Sequence, residues 1–105
     1  MVFKIIWTPT ALNSYLEIMD FLETSWTQKE VNTFAKTVDE RIKLLKSFSR
    51  TGSPFGTKHR KLRKTLVHEH VQLYYRILPA AQNILLVIFW DTRRNPRKLK
   101  KFIKK

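Results

Sequence analysis

Two histidines flank a glutamate in the segment His68-Glu69-His70, and the imidazole is well suited to acid–base chemistry near neutral pH. Side chains alternate along an extended chain, so His68 and His70 would share one face of a strand. Two imidazoles could begin a metal site, but no third ligand is evident, and we expect no metal. His70 is a candidate general base; the alternative is a pair of surface histidines at the start of a strand.

A run of basic residues precedes these histidines. It places five cations within seven positions: Lys58, Arg60, Lys61, Arg63 and Lys64. Such a run suits contacts to phosphates, which position a nucleic acid without reading its sequence. Lysines also protect the edge of a sheet against pairing with another chain, and this structural role is the alternative.

A second basic segment follows the last apolar stretch of the chain. It contains three arginines: Arg93, Arg94 and Arg97. A guanidinium can bind a carboxylate or a phosphate through two hydrogen bonds, and the end of a strand holds it rigidly. Asp91 could instead be an internal partner that fixes one of these arginines. Tyr74 and Arg76 would lie near the segment if their strand pairs with the last one.

The basic residues are concentrated in one half of the chain. Of 105 residues, 21 are Lys or Arg and 8 are Asp or Glu, so the net charge is +13 with neutral histidines. Residues 1–52 hold seven basic and six acidic side chains, whereas residues 53–105 hold fourteen basic and two acidic ones. This asymmetry indicates a polyanionic or acidic partner for one half of the fold. The alternative is a generally basic surface.

Several classes of chemistry are excluded by composition. The absence of cysteine rules out a disulfide framework, Cys-ligated zinc and thiol catalysis. Two glycines cannot supply a GxGxxG phosphate loop, and we expect no cofactor. The chain contains no apolar window of about 18 residues and no secretion signal, so we expect a soluble cytoplasmic protein without a membrane partner.

The first half of the chain predicts one strand and two helices. Residues 3–7 are apolar and rich in β-formers. Thr8 and Pro9 then begin a helix that should end near Thr24, with an apolar stripe of Leu12, Leu16, Met19, Leu22 and Trp26. Thr27 and Glu30 form a capping box for a second helix that should reach about Arg50.

The second half predicts three strands. Residues 53–57 read as a loop, and period-two patterns follow over 62–67 and 70–77. Residues 84–90 are apolar on both faces, which is typical of a strand inside a sheet, and a basic tail covers about 96–105. The fold class is therefore α+β: the order β-α-α-β-β-β predicts a mainly antiparallel sheet covered on one face by a helical hairpin. We expect a single domain over residues 1–105.

The order and spacing of these elements resemble the RelE/ParE toxin superfamily of bacterial type II toxin–antitoxin systems. The resemblance covers most of the chain and rests on four features: IIWTPTA at 5–11, the two helices, LRKTLVHEHVQLYYRI and ILLVIFWDTRRNPRKL. It implies a small sheet covered by a helical hairpin. It also implies a cognate antitoxin that is acidic at least in its toxin-binding segment.

The family divides by target into ribosome-dependent mRNA endonucleases, the RelE-like branch, and poisons of DNA gyrase, the ParE-like branch. The resemblance implies an arginine on the third strand of the endonucleases, where this chain has Gln72, and a later arginine that matches Arg93. The last fifteen residues contain no Tyr or His, although the endonucleases typically have one there.

The sequence is therefore closer to the ParE-like, plasmid-stabilisation branch, and we expect a DNA gyrase inhibitor. A RelE-like mRNA interferase using His70, Arg76 and Arg93, and a non-toxic nucleic-acid-binding module, are the alternatives. The expected surface for the target or a polyanion comprises Lys58, Arg60, Lys61, Arg63, Lys64, Tyr74, Arg76, Arg93, Arg94 and Arg97.

Overall fold

Two long helices, five strands and a short helical segment at residues 97–99 make up the fold in a computed structural model that describes residues 2–55, 62–95 and 97–99. The helices are α1 (Pro9–Ser25) and α2 (Gln28–Ser47). The strands are β1 (Lys4–Trp7), β2 (Ser53–Phe55), β3 (Leu62–His68), β4 (Val71–Leu78) and β5 (Asn83–Asp91). The α+β prediction is confirmed. Within the described residues, no helix is long and apolar enough to cross a membrane.

Side-chain caps start both helices where the sequence predicts them. The Thr8 hydroxyl accepts a hydrogen bond from the amide of Ala11 at 3.0 Å, and Pro9 occupies the first helical turn. Thr27 and Glu30 form the predicted capping box in both directions. The second helix ends at Ser47 rather than Arg50, because a turn follows in which the amide of Thr51 binds the carbonyl of Phe48.

The five strands form one mixed sheet in the order β1-β5-β4-β3-β2. β1 runs parallel to β5, and all other neighbours are antiparallel. The sequence missed β2: residues 53–55, predicted as loop, pair with Arg63 and its neighbours on β3. Pro54 is compatible with this position because an edge strand does not need every amide for its ladder.

Each face of the sheet has its own apolar cluster. The cluster under the helices contains Phe34, Leu73 and Tyr75, all 0% exposed. The cluster on the opposite face contains Tyr74, Ile88, Trp90 and Leu99. β5 contributes to both clusters and lies between β1 and β4, as its two apolar faces predict.

The predicted apolar stripe of α1 is correct in part: Leu22 is buried, and Met19 and Trp26 pack against the core with Tyr15 beside them, whereas Leu12 and Leu16 do not. Leu12 and Leu16 are about half exposed, whereas Ala11 and Leu22 are buried and Tyr15 and Ile18 pack against them. The series 11, 15, 18 and 22 has helical spacing as well. The buried face of α1 is therefore rotated toward Ala11 and Ile18 relative to the prediction, which gave Leu12 and Leu16 too much weight because leucine is a large apolar residue.

An irregularity in β5 changes which residues face the helices. Tyr75 pairs with Leu86 and Tyr74 pairs with Ile88, so Val87 is an extra residue in the strand. Leu86 points toward the helices before this bulge and Phe89 does so after it. The outward direction of Ile88 and Trp90 is therefore set by one inserted residue.

Candidate functional site

A cleft of about 500 Å³ lies between the C-terminal half of α1, the β3–β4 turn and the segment that follows β5. We call it the β5 cleft. Its floor is apolar and its rim carries charged side chains. The described residues that line it are Glu17, Ile18, Phe21, Leu22, Trp26, His68, His70, Val71, Asp91, Arg93 and Arg94.

Asp91 and Arg93 form a two-point ion pair on the rim of the β5 cleft. The Nε of Arg93 donates to Oδ1 of Asp91 at 3.0 Å, and Nη2 donates to Oδ2 at 2.8 Å. The backbone amide of Arg93 also donates to Oδ1, which fixes the turn after β5. The hydrogen bonds from Arg93 lower the pKa of the Asp91 carboxyl, and Asp91 raises the pKa of Arg93. Asp91 is thus the internal partner that the sequence suggested.

Arg94 adopts a different arrangement from its neighbour. Its guanidinium lies over the Trp90 ring, 4.6 Å from the centroid, and the Trp90 side chain is only 3% exposed. A guanidinium stacked on an indole keeps its N–H edges available for other partners. Arg94 borders the β5 cleft and also a smaller cavity beside Ser14 and Glu17.

The two histidines do not share one face of a strand, which corrects the prediction. His68 ends β3, whereas Glu69 and His70 form the turn to β4. The His68 ring packs between Trp26 and Phe34, with centroids 4.9 and 5.4 Å away. His70 lies 3.9 Å from Glu69 and contributes to the lowered pKa of Asp91. The extended conformation fails here because the chain has to reverse direction between two antiparallel strands.

The outer face of the sheet, opposite the helices, holds a second group of predicted residues. Tyr74 packs edge-on against Phe55, with centroids 4.9 Å apart, and Lys64 lies 5.2 Å above the Phe55 ring. Burial raises the pKa of Tyr74. Arg63 points to the other face and donates from Nη1 to the carbonyl of Gly52 at 2.9 Å.

Arg76 lies at the opposite end of β4 from the β5 cleft. Val71 pairs with Asp91 and Arg76 pairs with Leu85, which separates Arg76 from the cleft by roughly 17 Å along the strand. Its Nε is buried and has no hydrogen-bond partner among the described residues. Strand pairing therefore brings His70 and Arg93 together but leaves Arg76 apart from both.

Other predicted residues lie on the tail or outside the described chain. Lys58, Arg60 and Lys61 are outside the described residues, as is most of the basic tail. Arg97 is exposed, and its amide binds the side chain of Asn95 at 2.9 Å. Within residues 2–55, 62–95 and 97–99, no three His, Asp or Glu side chains converge as metal ligands would.

The sequence did not reveal the wall that α1 gives to the β5 cleft. Phe21 is 54% exposed in this wall, and Ile18 and Trp26 lie beside it. A large aromatic residue outside the buried series of an amphipathic helix is the signal that could have identified the wall.

Comparisons with known proteins agree with this fold. A sequence model of the family described as ParE toxin of type II toxin–antitoxin system, parDE, matches residues 5–96. A chain of the toxin–antitoxin complex RelBE2 from Mycobacterium tuberculosis has a similar structure, with a TM-score of 0.62 and 14% identity. The similarity covers 87% of this chain and 99% of that chain. No curated protein sequence matches significantly. The family match extends over most of the chain, which therefore belongs to the ParE toxin family of type II toxin–antitoxin systems.

Proposed function

We propose that this protein is a toxin that inhibits growth by binding DNA gyrase in the cytoplasm and is neutralised by a cognate antitoxin. The observation that carries the proposal is the match to the ParE toxin family over residues 5–96. The family match identifies a toxin of a type II toxin–antitoxin system, and DNA gyrase as its target is our inference from that match.

The basic groups of this chain support a binding role better than RNA cleavage. Gln72 stands on β4 where the endonuclease branch has an arginine, and a neutral amide cannot stabilise a developing negative charge as a guanidinium does. Arg76 lies far along β4 from His70 and Arg93, so these three residues do not surround one reacting group. Arg93 is moreover bound by Asp91.

The charge distribution supports an acidic partner. Fourteen basic and two acidic side chains in residues 53–105 leave a surface that attracts carboxylates at long range. A RelBE2 toxin–antitoxin complex contains a chain of similar fold, which supports an antitoxin that covers this one. We infer that the toxin-binding segment of that antitoxin is acidic.

Supercoiling by purified gyrase tests the proposed target. Increasing amounts of the full chain should reduce supercoiling of a relaxed plasmid, and the antitoxin encoded beside its gene should restore it. An unrelated protein of similar net charge controls for non-specific binding to DNA. Full gyrase activity at a large molar excess of the toxin would contradict the proposal.

The endonuclease alternative needs its own measurement in the same cells. Primer extension on translated mRNA after induction should show an intact mRNA pool while growth stops. Cuts at defined codon positions, together with unaffected gyrase, would instead assign the protein to the mRNA-cleaving branch.

A further inference from the structure

The two adjacent arginines of the β5 cleft differ in the charge that they can offer to a partner. Asp91 binds Arg93 through both carboxylate oxygens, so the positive charge of Arg93 is already matched inside the protein. Arg94 makes no ion pair with any described residue and rests on the Trp90 ring. Arg94 is therefore the cation on this rim that a carboxylate can bind without displacing an existing partner.

The Trp90 ring fixes where the Arg94 guanidinium lies. Trp90 is 3% exposed and belongs to the outer apolar cluster with Tyr74 and Ile88, which holds its ring in place. Stacking on a rigid ring reduces the side-chain freedom that Arg94 would lose on binding a ligand.

The floor of the β5 cleft indicates the kind of molecule that carries this carboxylate. Ile18, Trp26 and Val71 line the cleft, and Phe21 in its α1 wall is 54% exposed to solvent. An exposed aromatic beside a concave apolar surface is typical of a site for aliphatic or aromatic side chains. A phosphate backbone has no comparable apolar groups, so the cleft favours a peptide over a nucleic acid.

Glu17 on α1 places a negative charge in the same cleft that carries the positive charge of Arg94. Its carboxylate lines the same cavity as Arg94 but forms no ion pair with it within 4.0 Å. A bound acidic side chain would therefore lie on the Arg94 side, away from Glu17, because like charges repel.

We propose that the β5 cleft binds a short acidic, apolar peptide segment of a protein partner, with Arg94 as the carboxylate contact, whereas Arg93 stays paired with Asp91 and does not contact the segment. The segment inserts an aliphatic or aromatic side chain against Phe21 and places an Asp or Glu on Arg94. This inference rests on the proposed function, because it names the contact through which an acidic antitoxin segment is held.

The proposal is tested with peptides that are selected from a displayed random library for binding to the full chain. Selection at physiological salt should yield peptides in which Asp or Glu lies within one helical turn of a large apolar residue. Their affinity for the purified chain is then measured by fluorescence anisotropy. A single-stranded oligonucleotide serves as competitor and should not displace them at equal phosphate and carboxylate concentrations.

Charge-matched variants separate the two arginines. Arg94→Gln should weaken the selected peptides about tenfold or more, since a charge-assisted contact is lost. Arg50→Gln removes the same charge at an exposed site outside the β5 cleft and should change the affinity less than about twofold.

Two further variants test the acidic residues of the cleft. The double variant Asp91→Asn/Arg93→Gln leaves the net charge unchanged and should stay within about threefold of the unmodified chain in affinity. The amide oxygen introduced by Asp91→Asn can still accept the backbone N–H of residue 93, which preserves the turn. Glu17→Gln should tighten binding by about two- to fivefold.

Equal weakening by Arg94→Gln and Arg50→Gln would overturn the proposal, because binding would then follow net charge alone. A loss in the Asp91→Asn/Arg93→Gln variant as large as that of Arg94→Gln would also overturn it. The proposal would also be overturned if the selected peptides contained no acidic residues, or if the oligonucleotide displaced them from the chain. Because these measurements use no gyrase, a negative supercoiling result leaves them interpretable and the two failures remain distinct.

Discussion

The hydroxyl of Ser14 on α1 accepts a hydrogen bond from the backbone amide of Phe89 on β5, 75 residues later, at 2.9 Å. The same hydroxyl donates to the carbonyl of Ala11 at 2.9 Å. Thr8 acts beside it by donating to the carbonyl of Leu86 at 2.7 Å. These two side chains bind the backbone on either side of Val87, so α1 holds the bulged part of β5 in place.

Ser14→Ala removes the acceptor of the Phe89 amide. We expect the free energy of unfolding to fall by about 1–3 kcal/mol, because the amide of a residue that is 1% exposed loses its partner. Urea denaturation measures the loss. Thr24→Ala is the control, since its hydroxyl bonds a carbonyl of the same helix at an exposed site, and it should change stability by about 0.5 kcal/mol or less. Similar losses in both variants would contradict a role for Ser14 in holding β5.

Tyr75→Phe removes a hydroxyl that links two backbone groups. The Tyr75 hydroxyl donates to the carbonyl of Ser49 at 2.8 Å and accepts from the amide of Gly52 at 2.9 Å. We expect a loss of about 2–4 kcal/mol because both groups lose their partner. Tyr74→Phe is a matched control on the opposite face, where the hydroxyl makes no hydrogen bond to described residues. Its free energy of unfolding should be unchanged or slightly raised, and an equal loss in the two variants would refute the prediction.

Gly52→Ala tests a close approach between the turn before β2, the backbone of β3 and Tyr75. A Cβ atom at Gly52 would lie 2.6 Å from the carbonyl oxygen of Lys64 and 2.6 Å from the hydroxyl of Tyr75. The first of these atoms belongs to the backbone of β3, so the turn must move, and we expect a loss of about 2–3 kcal/mol or more. Ser53→Ala, at the next and exposed position, should have little effect on the thermal midpoint. Unchanged stability of Gly52→Ala would show that the turn can adjust freely.

The Asp91–Arg93 pair predicts a pH dependence on the acid side. Arg93 lowers the pKa of Asp91 in the folded protein, so folding favours the ionised carboxylate. The contribution to stability is complete above the unfolded pKa of about 3.9 and is lost as the pH falls through the folded value. Urea titrations from about pH 6 to pH 2 should show a shallower acid loss for Asp91→Asn than for the unmodified chain. Asp39→Asn removes an exposed ion pair with Lys43 and is the control. Parallel curves for Asp91→Asn and the unmodified chain would argue against the pair.

The elements that the sequence predicts correctly depend on neighbours in the chain. Thr8 with Pro9, and Thr27 with Glu30, start the helices through contacts within one turn. Contacts between distant segments were not predictable in the same way. Ser53–Phe55 is a strand because of its pairing with β3, and three residues that include a proline have little strand preference of their own.

In the candidate site, too, contacts between residues that are close in sequence could be predicted, whereas contacts that depend on distant segments could not. The pairing of Asp91 with Arg93 spans two residues and could be inferred from their proximity in sequence. The wall that Phe21 gives to the cleft depends on the rotation of α1, which buries Ala11 and Leu22 and leaves Leu12 and Leu16 about half exposed. The distance of Arg76 from the cleft depends on strand register, which the alternation of residues along β4 does not reveal.

The parallel pairing of β1 with β5 sets an order of events during synthesis. Lys4 pairs with Asn83, so β1 finds its neighbour only after the residues up to position 83 have been translated. At about 5–20 residues per second this delay lasts roughly 4 to 16 s. Asp91, Arg93 and Arg94 are translated later still. The β5 cleft therefore forms only after β5 and the residues up to Arg94 have been made, and a partner already present in the cell can bind it as soon as it forms.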